Sequence, residues 1–453
     1  MSNREEIFNN RTTSEPPPDD NSSRWLIVRV TKILLQLAGF FHVLDDRNVV
    51  VAAAGGGNKS HGSGERVYTI ALNCFYVATF AGQLKQLQRS SGNLLAIFDV
   101  TFCAFGFVNC FLYLWVMRSN ANTIRRIAKR IVAEDETSVY RTMTTTIDRN
   151  NYFERTSRLL KMFCTYCGPP YFTAVLSFST FPLFIVLFTD NVAPGDPATM
   201  IYPSYYPWPV NTTASYMLTM ICVQLPSISI PSFTYTATVG FVTCTMISLR
   251  QHFLIVQSRL KALAENVVHQ RAAASRVGPQ RDNHRLMMRN DSDVVNADLK
   301  AIIKYHQFII EYIEDVMSCF QGIVTTTLTT FVAVMVMIPF LVTTIEGYYL
   351  YRMKMICAAT VILIIFFIYC FIVEMINDLN ESLGEALYNI PWYHYPNAEF
   401  RLILPIFIAQ LQYRYQMKVF GMFVVNRAFF AQVMKLNFSV LNVTLVIYSR
   451  HSS

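Results

Sequence analysis

Few of the 453 residues stand in arrangements that could carry covalent chemistry. Cys164 and Cys167 form a C-x-x-C pair, a spacing used for thiol redox work or for half of a zinc site. A zinc site needs a second pair or nearby histidines, and neither follows. The ten cysteines all lie in or beside apolar runs, so they read as small apolar filler rather than a disulfide framework. The glycine-rich run Ala52–Glu65 lacks the preceding strand and the G-K-S/T ending of a phosphate loop, and reads as a flexible linker. Without an H-E-x-x-H motif or facing aspartates, no catalytic group, metal or cofactor is expected and the chain is not read as an enzyme.

What remains is polar spacing inside apolar segments. Gln432, Lys435, Ser439 and Asn442 recur at intervals of three, four and three, which puts four polar side chains on one helical face. The same face continues outward to Val446 and Ser449. A polar stripe on a spanning helix must meet another helix or water. An apolar side chain on a water-lining face could form a constriction that gates by dewetting, which singles out Val446. Asp99 lies about five residues inside a second apolar segment, shallow enough for its carboxylate to snorkel to the interface.

These stripes need helices in a bilayer to position them. The chain is 53% hydrophobic and 15% charged, well below the roughly 25% charge of soluble domains. A crossing helix needs about 20 apolar residues. Runs that pass, or nearly pass, lie at Val67–Leu84, Leu94–Met117, Met162–Thr189, Tyr216–Leu249, Gly322–Val342 and Met355–Val373. Leu436–Ser449 makes a seventh when extended back to Asn426. The fold class expected is an all-α membrane protein with seven transmembrane helices. Trp25–Val43 carries Arg29 and Lys32 and suits an interfacial helix. The polar residues 1–23 hold no apolar core for a cleavable signal peptide.

Lysine and arginine set the orientation. With the amino terminus in the cytoplasm, inside segments hold 32 basic residues and outside segments 5. The amino terminus is therefore expected to be cytoplasmic and the carboxyl terminus extracellular. The net charge of +8 follows from the cytoplasmic loops, with no nucleic-acid partner. The division expected is a cytoplasmic segment 1–66, helices one to six over 67–374, a cytoplasmic anchor segment 375–424 and the seventh helix 425–449. Of eight N-x-S/T acceptors, only Asn211 falls in a sizeable outside loop. That loop, Asp190–Ser215, is rich in proline and aromatic residues and is expected to lie as a cap over the bundle mouth. The polar insert Ala272–Asn296, with Gly278 and Pro279, is expected to be disordered. The flanking apolar periodicity, through Leu260 and Leu263 before it and Ile302 and Ile309 after it, predicts a helical cytoplasmic region.

The carboxyl-terminal third resembles the insect odorant receptor family. The residues that carry the resemblance are Leu379–Tyr388 (LNESLGEALY), Pro391-Trp392-Tyr393, Gln410, Gly421-Met422-Phe423, Lys435–Leu441 (KLNFSVL) and His306. The resemblance implies an odorant-gated, non-selective cation channel. The chain would be its ligand-tuned subunit, in a tetramer with a shared co-receptor, in the plasma membrane of sensory neuron dendrites. It also implies that the last helix lines the pore, with Lys435, Ser439, Asn442, Val446 and Ser449 on it. Asn442–Tyr448 lacks the Thr-Tyr and Gln usual in the related gustatory receptors. That group remains an alternative, as does a G-protein-coupled receptor of opposite orientation.

The ligand implied is small, volatile and apolar, and its pocket an apolar cavity with few polar groups. The resemblance puts that pocket in the outer halves of helices two, three, four and six. Those halves offer Phe98, Phe102 and Phe105; Phe178 and Phe181; Met217, Met220 and Gln224; and Val361, Ile364 and Ile365.

Overall fold

The computed structural model describes residues 20–37, 62–90, 94–131, 146–166, 199–276, 282–344, 349–390 and 398–452, with isolated positions between 92 and 186. In chain order the helices are α1 (Asp20–Leu37), α2 (Gly62–Arg89), α3 (Leu94–Ser119), α4 (Ala121–Ile131), α5 (Thr146–Tyr166) and α6 (Thr213–Thr219). A π-helical turn, Met220–Gln224, joins α6 to α7 (Leu225–Arg276). Then follow α8 (Asp282–Thr344), α9 (Tyr349–Tyr388), α10 (Ala398–Leu411), a hairpin of β1 (Lys418–Val419) and β2 (Phe423–Val424), and α11 (Arg427–Ser452).

Among the described residues five helical stretches are long and apolar enough to cross a membrane. They include the segments read as spans two, four, five, six and seven. The Val67–Leu84 segment lies within the 28-residue α2, and most of Met162–Thr189 falls outside the described residues. At 1.5 Å per residue, α7 (52 residues), α8 (63) and α9 (40) are each far longer than a bilayer core of about 30 Å. Each must run on beyond the lipid, and their extensions bury the apolar faces seen in the sequence, with Leu260, Leu263, Ile302, Ile309 and Leu383 in one continuous core.

The polar insert differs from its expectation. Helix α7 runs to Arg276 and α8 starts at Asp282, which leaves only 277–281 undescribed. The insert has no apolar stripe, but Ala272–Ala274 and Leu286–Met288 are strong helix formers attached to helices already nucleated, so propagation needs no core.

Helix α1 buries Ile27, Thr31 and Leu35, one residue per turn, and begins earlier than the expected start at Trp25. It lies against α7 at Gly240, where a Cβ would stand 2.8 Å from a Leu34 methyl. Short α4 is strongly amphipathic, with Ile124, Ile127 and Ile131 inward. Arg130 of α4 is buried and pairs with Asp315 of α8 at 3.0 Å. Beside it, Tyr152 of α5 bonds Ser248 of α7 at 2.8 Å, and His252 Nδ1 meets the Tyr305 hydroxyl of α8 at 2.7 Å.

In the anchor segment two asparagines one turn apart on α9 hold the chain that leaves α10. Asn377 exchanges hydrogen bonds with the Tyr415 backbone at 2.9 and 3.0 Å, and Asn380 donates to the carbonyls of Leu411 and Tyr413 at 2.7 and 3.0 Å. His306 packs its ring on Phe407 of α10, centroids 5.3 Å apart. The hairpin turns at Phe420 and Gly421, both with positive φ (52° and 70°), the conformation a type I′ turn requires. Asn426 then caps α11 by accepting from Phe429 N at 2.7 Å. Arg427 fastens the start of α11 to Asp378 and Glu374 of α9.

Candidate ligand cavity and its cap

Between α3, α7, α8 and α9 lies a cavity of about 210 Å³. Each helix contributes positions three or four residues apart, so a single face of each borders it. The walls are Phe102, Gly106, Asn109 and Cys110 of α3; Ile228, Ser232 and Tyr235 of α7; Thr327, Thr330 and Val334 of α8; and Ala358, Val361 and Ile362 of α9. Gly106, Ser232 and Ala358 are small residues among these walls. A Cβ added at Gly106 would meet nothing within 4 Å. An engineered apolar cavity of about 150 Å³ accepts benzene, so this one has room for an aromatic ring with a short substituent.

Ring pairs lie on and near these walls. Tyr235 stacks on Tyr113 with centroids 5.0 Å apart, and the Tyr113 hydroxyl is hydrogen-bonded to Thr327. Phe331 stacks on Phe366 at 4.4 Å. At the end expected to face outward, a second apolar cluster gathers Leu72, Tyr76, Phe107, Ile201, Tyr202, Tyr216 and Met220.

That cluster includes Ile201 and Tyr202 of the 190–215 loop, whose described part, 199–215, packs on the bundle as the cap expected from its composition; 190–198 lie outside the described residues. Gln224 lies buried in the π turn and is the cap's chief fastening. Its Oε1 accepts from Ile201 N at 2.8 Å, while its Nε2 donates to the Tyr202 carbonyl at 3.2 Å and to the Tyr206 hydroxyl at 2.8 Å. Tyr202 bonds Ser227 at 2.5 Å, Trp208 Nε1 donates to Thr219 at 2.9 Å, and Tyr216 donates to the Thr199 carbonyl at 2.7 Å. Burial raises the pKa of Tyr202 and of Tyr206 above the ordinary phenol value, so both hydroxyls stay protonated and available to this network. The π turn has a local cause. Pro226 has no N–H to offer the Cys222 carbonyl and its ring crowds that carbonyl, and the helix widens there, with Leu225 N bonding Met220 O.

On α2 the cap comes close at Gly82, where a Cβ would stand 2.6 Å from Ser204 Oγ, and Tyr205 N donates to the Gly82 carbonyl at 3.2 Å. Lys85 and Arg89 reach the Tyr205 ring at 4.1 and 4.2 Å from its centroid.

Of the pocket residues singled out in the sequence, Phe102 and Val361 line the cavity. Phe98, Phe105, Met217 and Met220 belong to the outer apolar cluster above it, Gln224 holds the cap, and Ile365 lies in the main core. Ile364 is 49% exposed, on the outward face of α9. Phe178 and Phe181 lie outside the described residues. Asp99, expected to snorkel, is buried. Asn109, Ser232, Tyr235, Thr327 and Thr330 escaped the sequence reading, although polar residues at helical spacing within apolar runs were there to be seen. Helix α8 (span five) forms a wall that the resemblance had not included.

The polar stripe of α11, Lys435, Ser439, Asn442, Val446 and Ser449, is exposed, as are Leu436, Phe438, Val443 and Ile447 on other faces. The inner end of α11 is packed through Phe429 and Val433, and Phe430 meets Phe366 at 5.5 Å. Asn211 is exposed just ahead of α6, whose capping box joins Thr212 and Ser215.

A family model described as 7tm Odorant receptor matches residues 90–438. The chain is similar in fold to the insect olfactory receptor OR5 from Machilis hrabei, with a TM-score of 0.72 at 13% identity over 95% of this chain and 100% of that one. The structure of that receptor in complex with eugenol matches with the same TM-score, identity and coverage. No curated protein matches the chain.

Proposed function

Because the chain belongs to the 7tm odorant receptor family, we propose that it is the ligand-tuned subunit of an odorant-gated, non-selective cation channel. It is an odorant receptor and a multi-pass membrane protein. Beyond that, our reading is that it assembles with a co-receptor subunit into a tetramer in the plasma membrane of sensory neuron dendrites. A small volatile ligand would occupy the cavity between α3, α7, α8 and α9; the eugenol complex of the Machilis receptor supports a ligand of that size. The amino terminus would be cytoplasmic, with 375–424 as the anchor and 425–449 as the pore helix.

The observation that carries the channel reading is the packing of α11. Only 11% of its apolar window is buried inside the chain, against 33 to 78% for the other candidate spans. A helix bearing Lys435, Ser439 and Asn442 on one face and so little covered by its own chain suits a position where subunits surround water. Val446 would then stand at the gate with Asn442 just inside it.

The test is cysteine substitution along Asn442–Ser449, with a water-soluble thiol reagent applied during odorant-evoked current in cells that also express the co-receptor. Block at Asn442, Val446 and Ser449, with Val443 and Leu445 spared, supports the reading. Protection at every position, or block on the opposite face, defeats it.

A further inference from the structure

We propose that the seam between α1 and α5 binds an anionic phospholipid of the cytoplasmic leaflet by its phosphate. Arg29 and Lys32 of α1 supply the charge together with Arg155, Arg158 and Lys161 of α5. The leaflet named rests on the orientation proposed above; the binding itself does not.

The packing of α1 sets the depth of these residues. Leu34 meets α7 at Gly240. Ile27 and Thr31 gather with Thr156 and Leu160 of α5, and with Cys244 and Ile247 of α7, about one small gap. Helix α1 therefore runs antiparallel to α7 and enters beside the end that carries Arg250. From Leu225 to Leu249, α7 has no charged residue. Arg29 lies between Ile27 and Thr31, and Arg158 between Thr156 and Leu160. Both are thus level with positions three to six residues outward of Arg250, about 5–9 Å along the helix axis. That is the depth at which headgroups give way to acyl chains.

The same residues look away from the core. Helix α5 buries Tyr152, Thr156 and Leu160 and leaves Arg155, Arg158 and Lys161, three positions apart, exposed. Arg29 is exposed, and Lys32 is half-buried on the flank of α1 away from Leu34. Among the described side chains of α1 and α5 the one carboxylate is Glu154, which pairs with Arg158 at 2.5 Å. Exposed Ile33 and Met162 stand beside these cations. A long basic side chain at this depth lays its stem along acyl chains and carries its charge to the headgroup level. The anion a bilayer offers there is the lipid phosphate, and a guanidinium matches two of its oxygens. Helices α1 and α5 pack on each other and on α7, whereas α11 packs on α8 and α9. A subunit gathered about α11 therefore leaves the seam to lipid.

The test uses the full chain purified in detergent and titrated with dioctanoyl phosphatidylserine, dioctanoyl phosphatidylcholine and inorganic phosphate. The serine lipid should bind about ten-fold more tightly than the choline lipid, and added salt should shrink the difference. Each basic residue near a membrane surface is worth about five-fold in affinity. Arg155→Gln, Arg158→Gln and Lys161→Gln together should therefore weaken the serine lipid by about ten-fold or more. Arg401→Gln with Arg414→Gln removes exposed charge from the anchor and should leave that binding unchanged. A photoreactive phosphatidylserine should label peptides from 26–35 and 152–165 of the wild type, which needs no variant to fold. Equal binding of the two lipids, or displacement by inorganic phosphate at the lipid's own concentration, overturns the proposal. So does retained binding in the triple variant, an equal loss in the anchor variant, or label confined to other helices. Detergent removes the leaflets, so these outcomes stand whichever way the chain is inserted.

Discussion

Gln224 donates through Nε2 to the hydroxyl of Tyr206 at 2.8 Å, so one amide of the fourth membrane segment holds a tyrosine eighteen residues earlier in the cap. The same amide also holds the backbone of Ile201 and Tyr202. Replacement by leucine keeps the bulk and removes all three bonds, among them the Gln224 acceptor of the Ile201 N–H. Hydrogen exchange at Ile201, whose N–H donates to Gln224, should accelerate in Gln224→Leu by about ten-fold or more, with little change in α9. Unaltered exchange across 199–206 would mean that the cap is held by its apolar contacts alone.

The anchor offers a stability test. Asn380 satisfies two backbone carbonyls from a buried position. Asn380→Ala leaves both without that donor, and a loss of about 2 kcal/mol is expected. The purified chain should melt earlier, and Asn380→Asp, which cannot donate when ionised, should not restore it.

The pairing of α8 with α10 predicts a pH dependence. Lys300 Nζ stands 2.6 Å from Glu399, and this lysine, followed by Asn296, holds the Glu399 carboxyl below its ordinary value. A depressed carboxyl stabilises the fold above its unfolded pKa, near 4.3, and the contribution is lost as pH falls through the folded value. Thermal melting of wild type and Glu399→Gln should therefore differ at neutral pH and converge in acid. The site is open to water, so the gap should also narrow with added salt.

Asn211 gives a test of sidedness. With the cap outside, the sequon is exposed to glycosylating enzymes. The wild-type band should shift on glycosidase treatment and Asn211→Gln should not. A chain that never shifts, in cells that glycosylate other membrane proteins, counts against the outward loop.

The long apolar runs made the helices legible, since a bilayer permits little else, and the proline and aromatic content of 190–215 announced the cap. The family expected from the motifs in 300–448 is borne out. The cavity was not legible in the same way. The sequence reading took residues from the outer halves of the helices, among them the large side chains Phe98, Met217 and Met220. Large side chains fill space, and here those three pack into the outer cluster. A void is bordered where side chains fall short of one another, at Gly106, Ser232 and Ala358. Shortfall depends on which faces meet, and one helix read alone does not contain that information. The helical insert was missed for a different reason: amphipathic periodicity was required of a segment that extends helices already formed.

The π turn at Met220–Gln224 holds one residue more than α-helical winding would need. Removing one residue there would close the turn into ordinary α-helix and rotate everything outward of it by about 100° relative to α7. Thr219, which accepts from Trp208, and Tyr216, which reaches Thr199, would swing off their partners together, although neither residue had changed. The chain is therefore sensitive to length at this point in a way that it is not sensitive to identity. Conservative exchanges at Ile221 or Cys222, both exposed, should pass unnoticed, while a single-codon deletion beside them would undo the phase between the cap and the bundle.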